Sequence, residues 1–321
     1  MPQMHLVPDF DDAVDAPDVF TERVLQVQLA DFWRIHSPTK GSEYNAIAAE
    51  ERYELFCSKF LPTVPPAFSL QPDKQWDERL PMLPLQRQSL HMAIFDYLCY
   101  NFRPALLQDP SQIKDLPGYK QILLSSHKKA LAVAALNLLE GVSTLHMMIG
   151  GSHTRFAGII VPTFEAAVLL LCLCADSGFL GDTAEAGSNI MKTDPLGVGM
   201  ANATRAKCMQ AVRSALDRLQ TLAEVSNMAE VGARTLTRLI RNVDSSPMHA
   251  QICGGSAAVI DPGMQISEPW SCDQIQEYTG AYSTADFFSD ADYGAIHGNW
   301  EEMAVLSSTS GNGDIGSRES E

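Results

Sequence analysis

A chain of 321 residues, 45% of them hydrophobic, can bury one large core or two modest ones, which excludes a wholly disordered protein. Its formal charge of -16 is carried by the ends: residues 1–18 hold five acids and no Lys or Arg, and residues 261–321 hold twelve acids against Arg318, so removing these seventeen acids and one base from totals of 39 and 23 leaves 22 of each sign over 19–260. A neutral body between acidic ends has no basic stripe to neutralise phosphates, so direct DNA binding by this chain is not expected.

Taken in order, the elements read as helices. Phe20, Val24, Val27, Phe32 and Ile35 fall near 3.6-residue spacing and predict a helix over 20–35. Tyr44, Ile47, Leu55 and Phe56 predict another over 43–60, and Pro62, Pro65, Pro66 and Pro72 then mark a loop. Residues 82–102 are strongly apolar and stop at Arg103-Pro104, because the residue before a proline is pushed away from the α region. Residues 119–148 are rich in Ala and Leu and read as one long helix or two. The segment 161–175 is the most buried candidate, with Pro162 placed at a first turn. Its apolar run is interrupted by Pro162 and Glu165 when extended toward membrane-spanning length, so it reads as a core helix and no membrane association is expected. Residues 181–199 read as a connecting loop, and 204–243 as two amphipathic helices with arginines on solvated faces. From about residue 245 periodicity gives way to Gly, Ser, Pro and Asp. The expected organisation is an acidic flexible N-terminus (1–17), an all-α multi-helix domain (18–245) and a disordered acidic and aromatic tail (246–321).

No motif of catalysis or cofactor binding is present at the usual spacings: no Gly-x-Ser-x-Gly, His-Glu-x-x-His, phosphate loop or Cys-x-x-Cys. Gly197-Val198-Gly199 lacks the third glycine and the preceding strand of a dinucleotide fingerprint. Seven cysteines, an odd number, are scattered behind an N-terminus without a secretory leader, which fits a reducing compartment. Cys172 and Cys174 are two apart on a helix, point to nearly opposite faces and cannot close on one metal, so they read as core. His146 and His153 flank Gly150-Gly151 at what reads as a helix end. No enzyme activity, metal or cofactor is expected.

Read together and in order, Val7 to Asp12, the helix from Arg87 closing in Phe102-Arg103-Pro104-Ala105-Leu106, the segment Ser126 to Ala135, the helix after Pro162-Thr163-Phe164, and the pair from Cys208 to Val243 resemble the middle homology region of fungal zinc-cluster transcription factors. The resemblance covers roughly residues 5–245 and lacks both the six-cysteine cluster and the first part of that region. Either a truncated product or a member that works without binding DNA fits this pattern. The resemblance implies transcriptional regulation in the nucleus, of a specialised (secondary) metabolite pathway, with Arg87, Arg103 and Pro104 as family-motif positions of structural role. The basic tract His127-Lys128-Lys129 is too short to serve as a clear import signal. If helices ahead of the chain are missing, those at Phe20 and Met82 leave apolar surface for a second copy or another chain. An alternative reading is a small-molecule sensor, with an apolar cavity between the 161–175 and 204–243 helices.

The tail is more than a solvating one. Among its acids stand Trp270, Tyr278, Tyr282, Phe287, Phe288, Tyr293 and Trp300, which like charges would hold in water for capture by a partner groove. It is expected to act as an activation segment that recruits transcription machinery or co-regulators, anchored at Phe287-Phe288.

Overall fold

The computed structural model describes residues 16–37, 44–108, 113, 116–151, 154–176, 194–197 and 203–244. All belong to one unit spanning 1–259. The described residues form α-helices, short 3-10 turns and one π turn, with no strand among them. The tail aromatics Trp270, Tyr278, Tyr282, Phe287, Phe288, Tyr293 and Trp300, and the segment Val7 to Asp12, lie outside the described residues.

Helix α1 (Thr21–His36) forms where expected, but its buried face is Leu25, Leu29 and Trp33 with Glu22. Phe20, Val24, Val27 and Ile35 of the anticipated stripe are outward, Phe20 being 60% exposed while Trp33 is 2% exposed. The helix is apolar on two sides, and Trp33 decides between them: it stacks on Tyr97 with ring centroids 6.0 Å apart and sits 5.5 Å from Phe56.

Helix α2 (Ala46–Leu55) is capped by Asn45, whose side-chain oxygen accepts from the Ile47 and Ala48 amides at 3.1 and 3.4 Å. It runs into a π turn (Phe56–Phe60) whose two rings are buried and stacked at 5.3 Å. The proline-rich stretch then makes 3-10 turns at Leu61–Thr63 and Pro66–Phe68.

Helix α3 (Leu83–Phe102) does not end by extension at Arg103. Arg103 keeps helical angles (φ -56, ψ -31), and Pro104, unable to donate to the ladder, only tightens the chain into a 3-10 turn over Arg103–Leu107. The extended backbone comes at Gln108 (ψ 127).

Helix α4 (Gly118–Met148) is a single helix of 31 residues. Its C-terminal end turns through Gly150 (φ 99) and Gly151 (φ 63), whose amides bond to the Met147 and His146 carbonyls at 3.1 and 2.7 Å. Helix α5 (Ala157–Ala175) begins a turn earlier than its sequence suggested, so Pro162 lies inside it, not at its first turn. The bond lost at the proline nitrogen falls one turn from the start, and the adjacent Thr163 hydroxyl donates to the Ile159 carbonyl at 2.6 Å.

Both α4 and α5 are long and apolar enough to cross a membrane, yet 61% and 72% of their most apolar windows are buried inside the bundle. The core is built on them: α3 packs on α4, α4 on α5, and α5 on both α6 (Arg205–Ala223) and α7 (Asn227–Asp244), which also pack on each other. Thr204 caps α6 through the Lys207 amide at 3.2 Å, and Ser226 meets the Ala229 amide at 3.4 Å at the start of α7. Val212, Leu219, Leu222, Leu236, Leu239 and Val243 are buried, whereas Val231 is outward. The arginine faces are not uniformly solvated, since Arg205 bonds to the Cys174 carbonyl and burial lowers the Arg218 pKa.

Candidate functional site

Three polar groups tie the helices together, and two of them contain the family-motif positions Arg87, Arg103 and Pro104. At the first, Arg87 is 5% exposed. Its Nε donates to the Ala67 carbonyl at 2.6 Å, and its two terminal nitrogens donate to Asp77 at 2.6 and 3.2 Å. These bonds hold the Asp77 carboxyl below its ordinary range. One turn further along α3, His91 Nε2 lies 3.0 and 2.9 Å from the Phe68 and Ser69 carbonyls, and burial keeps its pKa low. Together Arg87 and His91 clasp the proline-rich segment to α3. Three of the five guanidinium N–H groups are bonded and the side chain is buried, which keeps it from a phosphate or an acidic ligand.

At the second, Arg103 lies over the Tyr100 ring at 5.1 Å and faces the carboxyl of Glu165 on α5. Burial, reinforced by Asp96 and only partly opposed by Arg103, pushes the Glu165 carboxyl up to about 9, and its Oε1 is buried without a hydrogen-bond partner. Pro104 makes the 3-10 turn that follows α3, and its carbonyl accepts from Gln108 at 3.3 Å.

The third group was not anticipated. His127 on α4 is 1% exposed, with Nδ1 2.7 Å from the Tyr44 hydroxyl and Nε2 2.8 Å from Glu50 on α2. Burial raises the Tyr44 pKa and keeps it a neutral phenol. Both ring nitrogens are engaged, so His127 is a tie between α2 and α4. Nearby, Asn101 is buried between the Arg52 Nε and the Ala49 carbonyl, both at 3.0 Å. These contacts join residues 49 to 83 positions apart in sequence, beyond the reach of any spacing rule. Lys128 pairs with Asp176 at 2.5 Å, so the tract His127-Lys128-Lys129 is folded into α4 and is not a free basic patch.

Tyr44 also borders a cleft of about 510 Å³, lined by Ile47, Gln108, Leu116, Lys120 and Leu124 among others. The cleft lies between the starts of α2 and α4, not between α5 and α6 where the sequence placed a metabolite cavity. Among the described residues no three His, Cys, Asp or Glu side chains converge as a metal would require.

The chain is 44% identical over 245 residues to "Transcription factor xilB" of Penicillium rubens, an alignment that covers 74% of this chain and 36% of that protein. It is 37% identical over 253 residues to "Probable transcription factor sol4" of Alternaria solani, covering 77% of this chain and 45% of that one. The chain thus spans less than half the length of these two curated relatives. No protein-family profile matches the sequence, and no solved structure matches it. Over three quarters of its length, the chain is similar to fungal proteins named as transcription factors.

Proposed function

We propose that this chain is a transcriptional regulator of fungal type, whose helical body is a regulatory and partner-binding domain and whose acidic tail recruits transcription machinery or co-regulators. The carrying observation is 44% identity over 245 residues to a fungal transcription factor, a stretch as long as the whole helical domain. A neutral helical body in which Arg87 is tied to Asp77 supports a role in contacting proteins in preference to DNA phosphates. The composition of 261–321 supports recruitment: twelve acids interspersed with Trp270, Tyr278, Tyr282, Phe287, Phe288 and Trp300 make a segment of the kind a hydrophobic groove on a partner can take up. The nucleus is the compartment of this role, with import depending on a partner. The resemblance in motif order extends the proposal to the genes of a specialised metabolic pathway.

The test is to fuse the whole chain, and the chain ending at residue 260, to a foreign DNA-binding domain and to measure reporter transcription. The whole chain should activate, the shortened one should lose most of that output, and changing Phe287 and Phe288 to Ala should reproduce the loss. A silent whole-chain fusion refutes the proposal. Equal output from both fusions assigns activation to the helical body and removes the tail from it.

A further inference from the structure

The cleft beside Tyr44 has walls of two kinds. Ile47 from the first turn of α2, Leu116 from the segment ahead of α4, and Leu124 within α4 supply apolar side chains. Ile47 is exposed and Leu124 buried, so the space runs inward from the surface, and its volume of about 510 Å³ is that of a site for a small molecule, not of a packing defect. Tyr44 forms a fixed edge, because its hydroxyl is held 2.7 Å from His127 Nδ1. Among the described lining residues the one charged side chain is Lys120, in the first turn of α4, and no acid stands with it. Lys120 is half-buried and enters none of the ion pairs made by the described residues. In a chain of formal charge -16, a cleft whose described lining holds one cation and no acid selects for an anion. The amino ends of α2 and α4 add a positive potential to that charge.

We propose that this cleft binds a small molecule with one anionic group at the end of an apolar body, an aryl or alkyl carboxylate being the chemical class, with the carboxylate on Lys120 and the body against Ile47, Leu116 and Leu124. A half-buried ammonium has lost part of its hydration, and a carboxylate brought against it supplies a charge-assisted hydrogen bond in place of the lost water. The apolar body adds affinity by leaving water for the three aliphatic side chains. With His127 Nε2–H directed at Glu50, its Nδ1 accepts from the Tyr44 hydroxyl, which then keeps only acceptor capacity toward the cleft. That edge offers nothing to a second carboxylate, so a ligand with a single anionic end is preferred. A molecule bound here touches both α2 and α4 and joins them in addition to the His127 tie. The binding does not depend on the chain being a transcriptional regulator.

The experiment uses the full chain and two fluorescent probes of one skeleton: 8-anilinonaphthalene-1-sulfonate, which carries an anionic group, and N-phenyl-1-naphthylamine, which lacks it. The expected result is saturable binding of a single sulfonate probe per chain, displaced by 4-phenylbutyrate and far less by 4-phenylbutan-1-ol at the same concentration. Lys120→Gln should weaken the sulfonate probe by about tenfold, as loss of one hydrogen bond to a charged group implies, and leave the neutral probe unchanged. Ile47→Trp, at the exposed mouth, should fill the space and remove binding of both. Sulfonate binding that neither variant alters places the probe on another apolar surface, such as the outward face of α1, and overturns the proposal. Equal weakening of both probes by Lys120→Gln, displacement by the alcohol as strong as by the acid, or no binding by the native chain overturns it as well. The comparison of acid with alcohol is made on the native sequence, so it decides the matter even where a variant fails to fold.

Discussion

Arg87 shows how a single residue's role follows from what surrounds it. Its guanidinium is removed from water and compensated only by the Ala67 carbonyl and the two oxygens of Asp77, so each bond matters more than it would at the surface. Arg87→Ala leaves a carbonyl and a carboxylate unpartnered and opens a gap beneath the proline-rich turn. We expect it to destabilise the chain by about 2–4 kcal/mol, measured by urea unfolding followed by circular dichroism. Arg87→Lys should recover little of this, because an ammonium cannot span both Asp77 oxygens and the Ala67 carbonyl together. A loss of under about 0.5 kcal/mol for either variant, the size usual for an uninvolved surface position, would show that the clasp does not hold.

At the scale of elements, helix positions were legible because apolar residues repeat at helical spacing, and most of the buried face of α6 and α7 was legible as well, Val231 being the exception. The face of α1 was not. Phe20, Val24 and Val27 make as good a stripe as Leu25, Leu29 and Trp33, and only the partners Tyr97 and Phe56, far along the chain, select the second. The start of α5 was misplaced because Pro162 is as compatible with a first turn as with the next one. The His127 tie was invisible because it unites residues that no local pattern relates. Gly141 carries a similar hidden constraint. It sits in the interior of a helix of good helix formers, where glycine costs about 1 kcal/mol relative to Ala, and its reason is α3. A Cβ built there would lie 2.9 Å from Gln88 Nε2 and 3.0 Å from Met92 Cγ, and Gln88 donates to its carbonyl at 3.1 Å. Gly141→Leu should therefore lower stability by about 1–3 kcal/mol despite its better helix propensity, by prising α3 from α4. An unchanged urea midpoint would mean that the two helices can part at no cost.

For the whole molecule, the desolvated acids Glu22 and Glu165 and the half-buried His91 set a pH of greatest stability that net charge alone would not. Burial pushes Glu22 up to about 7 and Glu165 up to about 9 from an ordinary value of 4.5. In both, the folded chain holds the proton more tightly than the unfolded one. Their cost is therefore absent below about pH 4.5 and grows as pH rises, completing near 7 for Glu22 and near 9 for Glu165. His91 works from the other side: its folded pKa is lowered by burial, so the stability it allows is present above its ordinary 6.5 and falls as acid protonates the unfolded chain preferentially. Asp77, lowered by Arg87, adds a second loss at still lower pH. The melting temperature should peak in weakly acidic to neutral solution and decline toward about pH 9. A formal charge of -16 would also bend the curve downward at high pH through repulsion, but salt screens that effect and leaves the desolvation of a buried carboxyl in place. Glu165→Gln separates the two causes, since it removes the titrating group while keeping the shape. Measured in high salt, the variant should gain several kcal/mol over the native chain at about pH 9 and little at about pH 5. If both chains instead lose stability in parallel between about pH 7 and 9, Glu165 ionises without cost and its carboxyl is open to water.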